Sequence, residues 1–177
     1  MIYKQSITEA MAWLGEQPDT IFIGQTVVYG GSFFTASLEK VPMEKRIEMP
    51  VAEELQLGMS LGLALEGFCV VSIYPRMDFL LLAMNQLVNH IDKLPEMSEG
   101  RMGTRIIIRA PIGPTKPLHG GPQHTQNYEK EFASMLKHVK VVSVGNWPAG
   151  DILRVYQQAY RDANPAILFV EIGDLYR

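Results

Sequence analysis

Short apolar segments rich in valine and isoleucine recur along this chain and constrain its fold more than any other feature. The clearest lie at residues 68–73, 105–108 and 166–170, and each has the length of a buried strand. Helical patterns separate them, among others at residues 79–91 and 148–162. This alternation predicts a doubly wound, mainly parallel α/β sheet with helices on both faces.

Weaker sequence patterns predict the remaining helices, strands and loops. Residues 6–9, Ser-Ile-Thr-Glu, have the form of a capping box and predict the start of a first helix. Pro50 is expected in the first turn of another helix, where its missing N–H costs nothing. Short strands are expected at 20–23, 46–49 and 139–142, and long loops at 24–46 and 110–126.

Composition limits the class of protein. A chain of 177 residues with 47% apolar residues predicts one domain, spanning residues 1–177. The net charge of −3 argues against nucleic acid as a partner, and the single Cys69 excludes an internal disulfide framework. We find no signal peptide and no apolar run of membrane-spanning length, so we expect a soluble, cytoplasmic chain without a membrane partner.

Ligands bind beyond the carboxyl ends of strands in such sheets, so the loops after Ile73 and Ile108 are the first candidates for a site. The strongest functional pattern, however, is Pro-Val-Ala-Glu-Glu-Leu-Gln-Leu-Gly-Met-Ser-Leu-Gly at residues 50–62. Gly58 and Gly62 share one helix face and cost about 1 kcal/mol each against alanine, so we expect another backbone to pack closely there. Helix physics leaves the role of the two glutamates open, as solvated first-turn acids or as a site residue.

The spacing of this stretch resembles the glutamate motif of the pyrimidine-binding domain of thiamine diphosphate enzymes. It is most similar to the beta subunit of the 2-oxo acid dehydrogenase decarboxylase component. The resemblance selects Glu53, five residues before Gly58, as a catalytic, cofactor-binding residue. It implies that Glu53 protonates or hydrogen-bonds a pyrimidine nitrogen, so that the cofactor's amino group can remove the thiazolium proton. Burial would raise the pKa of such a carboxyl toward neutrality.

Two histidines, His119 and His124, lie in the glycine-rich loop after the strand at 105–108. Metal binding, solvated loop positions, and acid–base or anion-stabilising work in a cleft are three competing interpretations. Residues 109–126 resemble the family's glycine-rich stretch leading into a His-Ser-Gln motif, with Thr125 in place of the serine. This resemblance implies a catalytic His124 facing the thiazolium side, whereas His119 matches a histidine found only in some members.

Other positions match the family with departures. Gln25 lies near the expected cofactor site, where the family often has a glutamate. The aromatic residue that stacks on the pyrimidine aligns with Met77, and Tyr74 and Phe79 are close alternatives.

A monovalent cation site is a further possible match. Ala159, Asp162 and Asn164 occupy positions that hold potassium in some members. We favour a simpler interpretation, in which Asp162 and Asn164 form the turn before Pro165.

The family's second half-site is not recognisable in this sequence. No Gly-Asp-Gly with a following Asn-Asn occurs, and the chain stops at Arg177, where family beta subunits continue. The resemblance therefore implies a separate diphosphate-binding subunit that carries Mg²⁺, in a heterodimer or heterotetramer. The expected function is cofactor activation for decarboxylation or acyl or ketol transfer on a 2-oxo acid, with a ketose as the less favoured substrate.

Two other functions remain open from the sequence. One is a non-catalytic assembly or regulatory subunit of the same fold, which the short length and Met77 favour. The other is an unrelated nucleotide-binding domain, which the lack of a G-x-G-x-x-G loop after the first strand opposes.

Overall fold

The computed structural model describes residues 3–162 and 165–176. The strands are β1 (Thr20–Gly24), β2 (Arg46–Glu48), β3 (Cys69–Ile73), β4 (Arg105–Ile112), β5 (Lys140–Ser143) and β6 (Ala166–Ile172). The helices are α1 (Tyr3–Glu16), α2 (Glu53–Leu65), α3 (Met77–Leu80), α4 (Leu94–Met97), α5 (Glu129–Met135) and α6 (Ala149–Asp162).

The six strands form one parallel sheet in the order β2-β1-β3-β4-β6-β5, which confirms the predicted fold class. One core lies between the sheet and helices α1 and α6, and the other lies beneath α2, α3 and α5. No helix among residues 3–162 and 165–176 is long and apolar enough to cross a membrane.

The strand order reverses at β1, because β2 adds on one side of it and β3 on the other. The carboxyl ends of β1 and β3 therefore flank the crevice in which doubly wound sheets bind ligands. The two ends approach closely, since a Cβ on Gly24 would lie 2.4 Å from the carbonyl oxygen of Ile73. Only glycine fits there without moving β3.

The starts of two helices differ from prediction. Helix α1 already includes Tyr3, so the capping box at residues 6–9 is wrong; the Thr8 hydroxyl instead donates to the carbonyl of Lys4 inside the helix. Helix α2 begins at Glu53, so Pro50 lies before its first turn. The Met49 N–H still bonds to the Gly24 carbonyl, so sheet pairing continues up to the residue before Pro50.

Strand β4 is longer than expected and runs through Pro111 to Ile112. The Arg109 carbonyl faces β3, where it accepts from the Tyr74 N–H, and alternation makes position 111 face the same side. Strand β3 has ended at Ile73, so the N–H that Pro111 lacks has no ladder partner to lose.

Other elements were predicted only in part. The expected loop at 24–46 contains 3₁₀ turns at Thr35–Leu38 and Met43–Lys45. The helical segment expected at 79–91 starts at Met77 and passes through 3₁₀ and π turns. Helix α5 was not predicted, because Phe132 is its one fully buried side chain and leaves little apolar periodicity.

The expected close packing on the Gly58 and Gly62 face is not supplied by the described part of this chain. A Cβ on Gly58 would meet only the Gln86 side chain, at 3.6 Å, and a Cβ on Gly62 would meet nothing within 4 Å. Leu55 and Met59 are exposed on the same helix, at 52% and 38%. We call Leu55, Met59 and Gly62 the open α2 surface.

Candidate cofactor and substrate site

Glu53 is the first residue of α2 and lies at the β1–β3 crevice. Its side chain is buried, with 5% exposure, and its Oε1 accepts a hydrogen bond from Gln25 Nε2 at 3.0 Å. Gln25 directly follows β1. The structure therefore brings together two of the predicted site residues, one after the end of β1 and one at the start of α2.

Glu54 has a different setting, although it is the next residue. It is exposed, and its Oε1 accepts from Asn85 Nδ2 at 3.2 Å on the surface. Burial thus separates two glutamates that helix physics alone leaves equivalent.

Tyr74 holds the backbone of Glu53 in place. It is fully buried just after β3, and its hydroxyl donates to the backbone carbonyl of Glu53 at 3.3 Å. Burial raises the pKa of Tyr74 above its ordinary value; the nearby Ser72 hydroxyl opposes this rise and the Glu53 charge adds to it. Tyr74 therefore stays a neutral donor that fixes the start of α2.

A buried polar network holds the rest of α2 against β3. Gln56 Nε2 donates to Ser72 Oγ at 3.1 Å and to the Ile73 carbonyl at 3.0 Å. Ser60 Oγ donates to Ser72 Oγ at 3.1 Å. These residues were missed from sequence, yet Gln56 and Ser60 follow Glu53 by three and seven residues, so a polar stripe on an apolar helix was the available signal.

The loop after β1 is held by another carboxylate that sequence reasoning missed. Glu48 accepts the N–H of Thr26 at 2.5 Å and the N–H of Val28 at 2.7 Å. Thr26 has a φ of 59°, a left-handed conformation that is rare for a branched residue. Glu48 thereby fixes the turn that begins at Gln25.

The three candidates for pyrimidine stacking lie in different surroundings. Tyr74 and Met77 are both fully buried, and Met77 Sδ accepts the N–H of Tyr128 at 3.0 Å. Phe79 is half-buried, and its ring contacts the His124 ring edge to face at a centroid distance of 5.5 Å. Of the three, Phe79 alone keeps an accessible side chain in this chain.

His124 is folded back onto the end of β4. A Cβ on Gly113 would lie 1.8 Å from the His124 carbonyl oxygen, so glycine is required at that contact. His119 instead lies exposed near the loop tip, where its Nδ1 accepts the N–H of Gly121 at 2.9 Å. The two histidines therefore have different surroundings in the structure.

The geometry of the described residues gives little support to the proposed metal-binding positions. Across residues 3–162 and 165–176, no three His, Cys, Asp or Glu side chains are grouped to hold a metal ion. Ala159 and Asp162 line a groove of about 510 Å³ beside the edge strand β5, far along the sheet from β1. Asp162 accepts a hydrogen bond from Gln158, and Asn164 lies outside the described residues.

The fold and this site define a doubly wound α/β domain with a buried glutamate at the strand reversal. Residues 1–175 match the family described as transketolase, pyrimidine binding domain, and the chain belongs to that family.

Two curated relatives cover almost the whole chain. The pyruvate dehydrogenase E1 component subunit beta-4, chloroplastic, of Oryza sativa subsp. japonica is 32% identical over 172 residues, covering 96% of this chain and 41% of the relative. The 2-oxoisovalerate dehydrogenase subunit beta of Bacillus subtilis (strain 168) is 29% identical over 181 residues, covering 100% of this chain and 54% of the relative. The chain thus spans about half the length of these relatives.

A solved structure shares the fold. It is described as a split gene transketolase, inactive beta4 tetramer, and superposes with a TM-score of 0.70 at 16% sequence identity. The match covers 97% of this chain and 50% of that chain.

Proposed function

We propose that this chain binds the pyrimidine half of thiamine diphosphate and activates the cofactor for reaction with a 2-oxo acid. Membership of the pyrimidine-binding family and relatives named as 2-oxo acid dehydrogenase subunits support this proposal. The observation that carries it is the buried Glu53 carboxylate, oriented by Gln25 at the strand reversal.

The residues present fit the pyrimidine ring. Gln25 engages Oε1 of Glu53, while Oε2 accepts no hydrogen bond from residues 3–162 and 165–176. A carboxyl group held in this way can hold or move a proton at Oε2, which would serve a ring nitrogen of the bound cofactor. Gln25 suits this role where a glutamate is common, because its amide donates to Glu53 and a second carboxylate would repel it.

Thiamine diphosphate supplies, when bound, a carbon nucleophile that attacks a carbonyl group. This chain contributes the carboxyl of Glu53, which Gln25 orients, and Tyr74 and Gln56 hold the start of the helix α2 that carries it. His124, in the loop after β4, is proposed to transfer protons on the reacting side of the site. We further propose Phe79 as the aromatic contact to the pyrimidine, because it is the accessible one of the three candidates.

A separate chain is proposed to supply the diphosphate half of the site and its Mg²⁺. The support is that the curated relatives are named as beta subunits, while residues 1–177 contain no Gly-Asp-Gly and Asn-Asn motif. The open α2 surface is proposed to lie in an interface, since mid-helix glycines without a close neighbour otherwise only destabilise α2. We propose that the two kinds of chain assemble as a heterodimer or heterotetramer.

The test compares Glu53→Gln with Glu54→Gln in the complex reconstituted with the diphosphate-binding chain. Deuterium exchange at the thiazolium carbon of the bound cofactor is measured by NMR after acid quench. We expect Glu53→Gln to slow exchange by roughly 100-fold or more, because it removes the proton-transferring carboxyl, and Glu54→Gln to match the wild type. Equal exchange rates in the two variants would contradict the assignment of Glu53.

A non-catalytic assembly subunit is the second candidate function, and Met77 is the observation that favours it. Met77 occupies the position aligned with the stacking aromatic residue, yet it is buried against the Tyr128 backbone. The same experiment separates the two functions, because an assembly subunit would leave exchange in the wild-type complex no faster than in free cofactor.

A further inference from the structure

Three polar side chains with unsatisfied buried atoms meet at the carboxyl ends of β3 and β4. Arg76 Nε, Asp78 Oδ2 and His124 Nδ1 are buried and have no hydrogen-bond partner among the described residues. Buried polar atoms are normally paired, so three such atoms in one place indicate a ligand. Arg76 and Asp78 have no role in the site described above.

Contacts through the surrounding loops place the three side chains together. A Cβ on Gly113 would lie 3.1 Å from Arg76 Cδ and 1.8 Å from the His124 carbonyl oxygen, so these two residues flank the same glycine. Asp78 Oδ1 accepts the N–H of Gln126, two residues after His124, at 3.4 Å. Arg76 and Asp78 lie shortly after Tyr74 in the chain, and the hydroxyl of Tyr74 bonds to the backbone of Glu53.

Arg76 is oriented with one edge of its guanidinium free. Its carbon Cζ lies 5.2 Å from the centroid of the Phe33 ring, and its Nη1 donates to the Pro75 carbonyl at 2.5 Å. The Nε–Nη2 edge remains, and this pair of parallel donors matches the two oxygens of a carboxylate. No ion pair between Arg76 and Asp78 occupies that edge in the described residues.

We infer that Arg76 binds the carboxylate of the substrate, with His124 beside the same group and Asp78 limiting the charge that the subsite accepts. This inference rests on the proposed function and adds a residue that determines substrate class. The negative charge of Asp78 offsets part of the Arg76 charge, so the subsite favours a singly charged carboxylate over a doubly charged phosphate. Arg76 would thereby select 2-oxo acids over phosphorylated ketoses.

The experiment titrates the isotopically labelled chain with sodium pyruvate and follows the His124 ring and Arg76 Nε resonances by NMR. Parallel titrations use sodium phosphate, and sodium chloride at matched ionic strength. We expect saturable shifts with pyruvate, and a dissociation constant raised about tenfold or more in Arg76→Gln, since a charged hydrogen-bond donor is lost. Arg154→Gln, on an 81% exposed side chain of α6, is the matched control and should bind as the wild type.

Several results would overturn the inference. Shifts that do not saturate, or an equal loss of pyruvate affinity in Arg76→Gln and Arg154→Gln, would exclude Arg76 as the residue that binds the carboxylate. Saturation by phosphate at concentrations as low as those of pyruvate would overturn the preference for a carboxylate. Arg76→Lys distinguishes lost binding from a folding defect, because it keeps the positive charge but lacks the paired donors. An affinity for pyruvate intermediate between those of the wild type and Arg76→Gln would support direct contact.

The outcome is separable from that of the proposed function. Deuterium exchange at the cofactor reports on Glu53 and requires no substrate. Normal exchange together with failed pyruvate binding would remove the Arg76 subsite and leave the cofactor role standing.

Discussion

Replacing Glu171 by glutamine should be among the most destabilising single changes to this domain. Glu171 of β6 and Arg109 of β4 form a fully buried ion pair, with Nε to Oε1 at 2.7 Å and Nη2 to Oε2 at 3.0 Å. Tyr156 also donates to Oε1, at 2.6 Å, and Tyr176 donates to Oε2. Burial alone would lower the pKa of Arg109, but the Glu171 charge outweighs it and raises that pKa above its ordinary value.

The magnitude follows from the charge left behind. Glutamine keeps the shape, but it has one acceptor oxygen where Tyr156 and Tyr176 donate to two, and it leaves the Arg109 charge buried without a counter-charge. Breaking a buried pair in this way costs about 3–5 kcal/mol, against a total stability of about 5–15 kcal/mol for a domain. For a chain of this size, the loss corresponds to a Tm lower by about 6–20 °C.

The assay is reversible urea unfolding followed by circular dichroism, with thermal unfolding in parallel. Glu99→Gln is the control, because Glu99 pairs with Arg101 at 3.5 Å on the surface with 81% of its side chain exposed, and it should change stability far less. Adding Arg109→Met to Glu171→Gln should recover part of the loss, since it removes the unpaired charge. A loss below about 1 kcal/mol in Glu171→Gln would refute the reasoning, because it would mean that Arg109 is solvated or otherwise paired.

Three further predictions concern an acid-sensitive loop, the histidines and the cofactor. Asp92 Oδ1 accepts the N–H groups of residues 137–139 at 2.9, 2.7 and 2.9 Å; burial would raise its pKa, but these bonds outweigh burial and hold it below the ordinary 3.8. The stabilisation that Asp92 contributes is therefore complete above the unfolded-state pKa and is lost as pH falls through the lower folded-state pKa. Asp92→Asn should cost about 1–3 kcal/mol at pH 7 and flatten the acid limb of the stability–pH curve. An unchanged acid limb would argue against this role of Asp92. His124→Ala should lower turnover of the reconstituted enzyme by roughly 100-fold or more, while His119→Ala should have little effect; unchanged turnover in His124→Ala would contradict a role in proton transfer. Calorimetric titration of the chain alone with thiamine diphosphate and Mg²⁺ should show no tight binding until the partner is added, and tight magnesium-dependent binding by the chain alone would refute the split site.

Part of the site was predictable because the sequence resembles a known family. Helix physics did not distinguish Glu53 from Glu54; the resemblance to the family's glutamate motif selected Glu53, and the structure gives the two glutamates different surroundings. The functional roles of Glu53 and His124 stay predictions. The supporting residues Gln56, Ser60 and Glu48 were missed, because their hydrogen bonds connect elements distant in sequence.

The sequence by itself determined the parallel α/β sheet, since buried strands of valine and isoleucine alternating with amphipathic helices have few other ways to bury their apolar faces. It did not determine where helices begin, because the first turn depends on pairing such as that between Met49 and Gly24. Only the tertiary structure paired Arg109 with Glu171 and brought Arg76 beside His124, because a charge's partner is set by which strand ends become neighbours in the sheet.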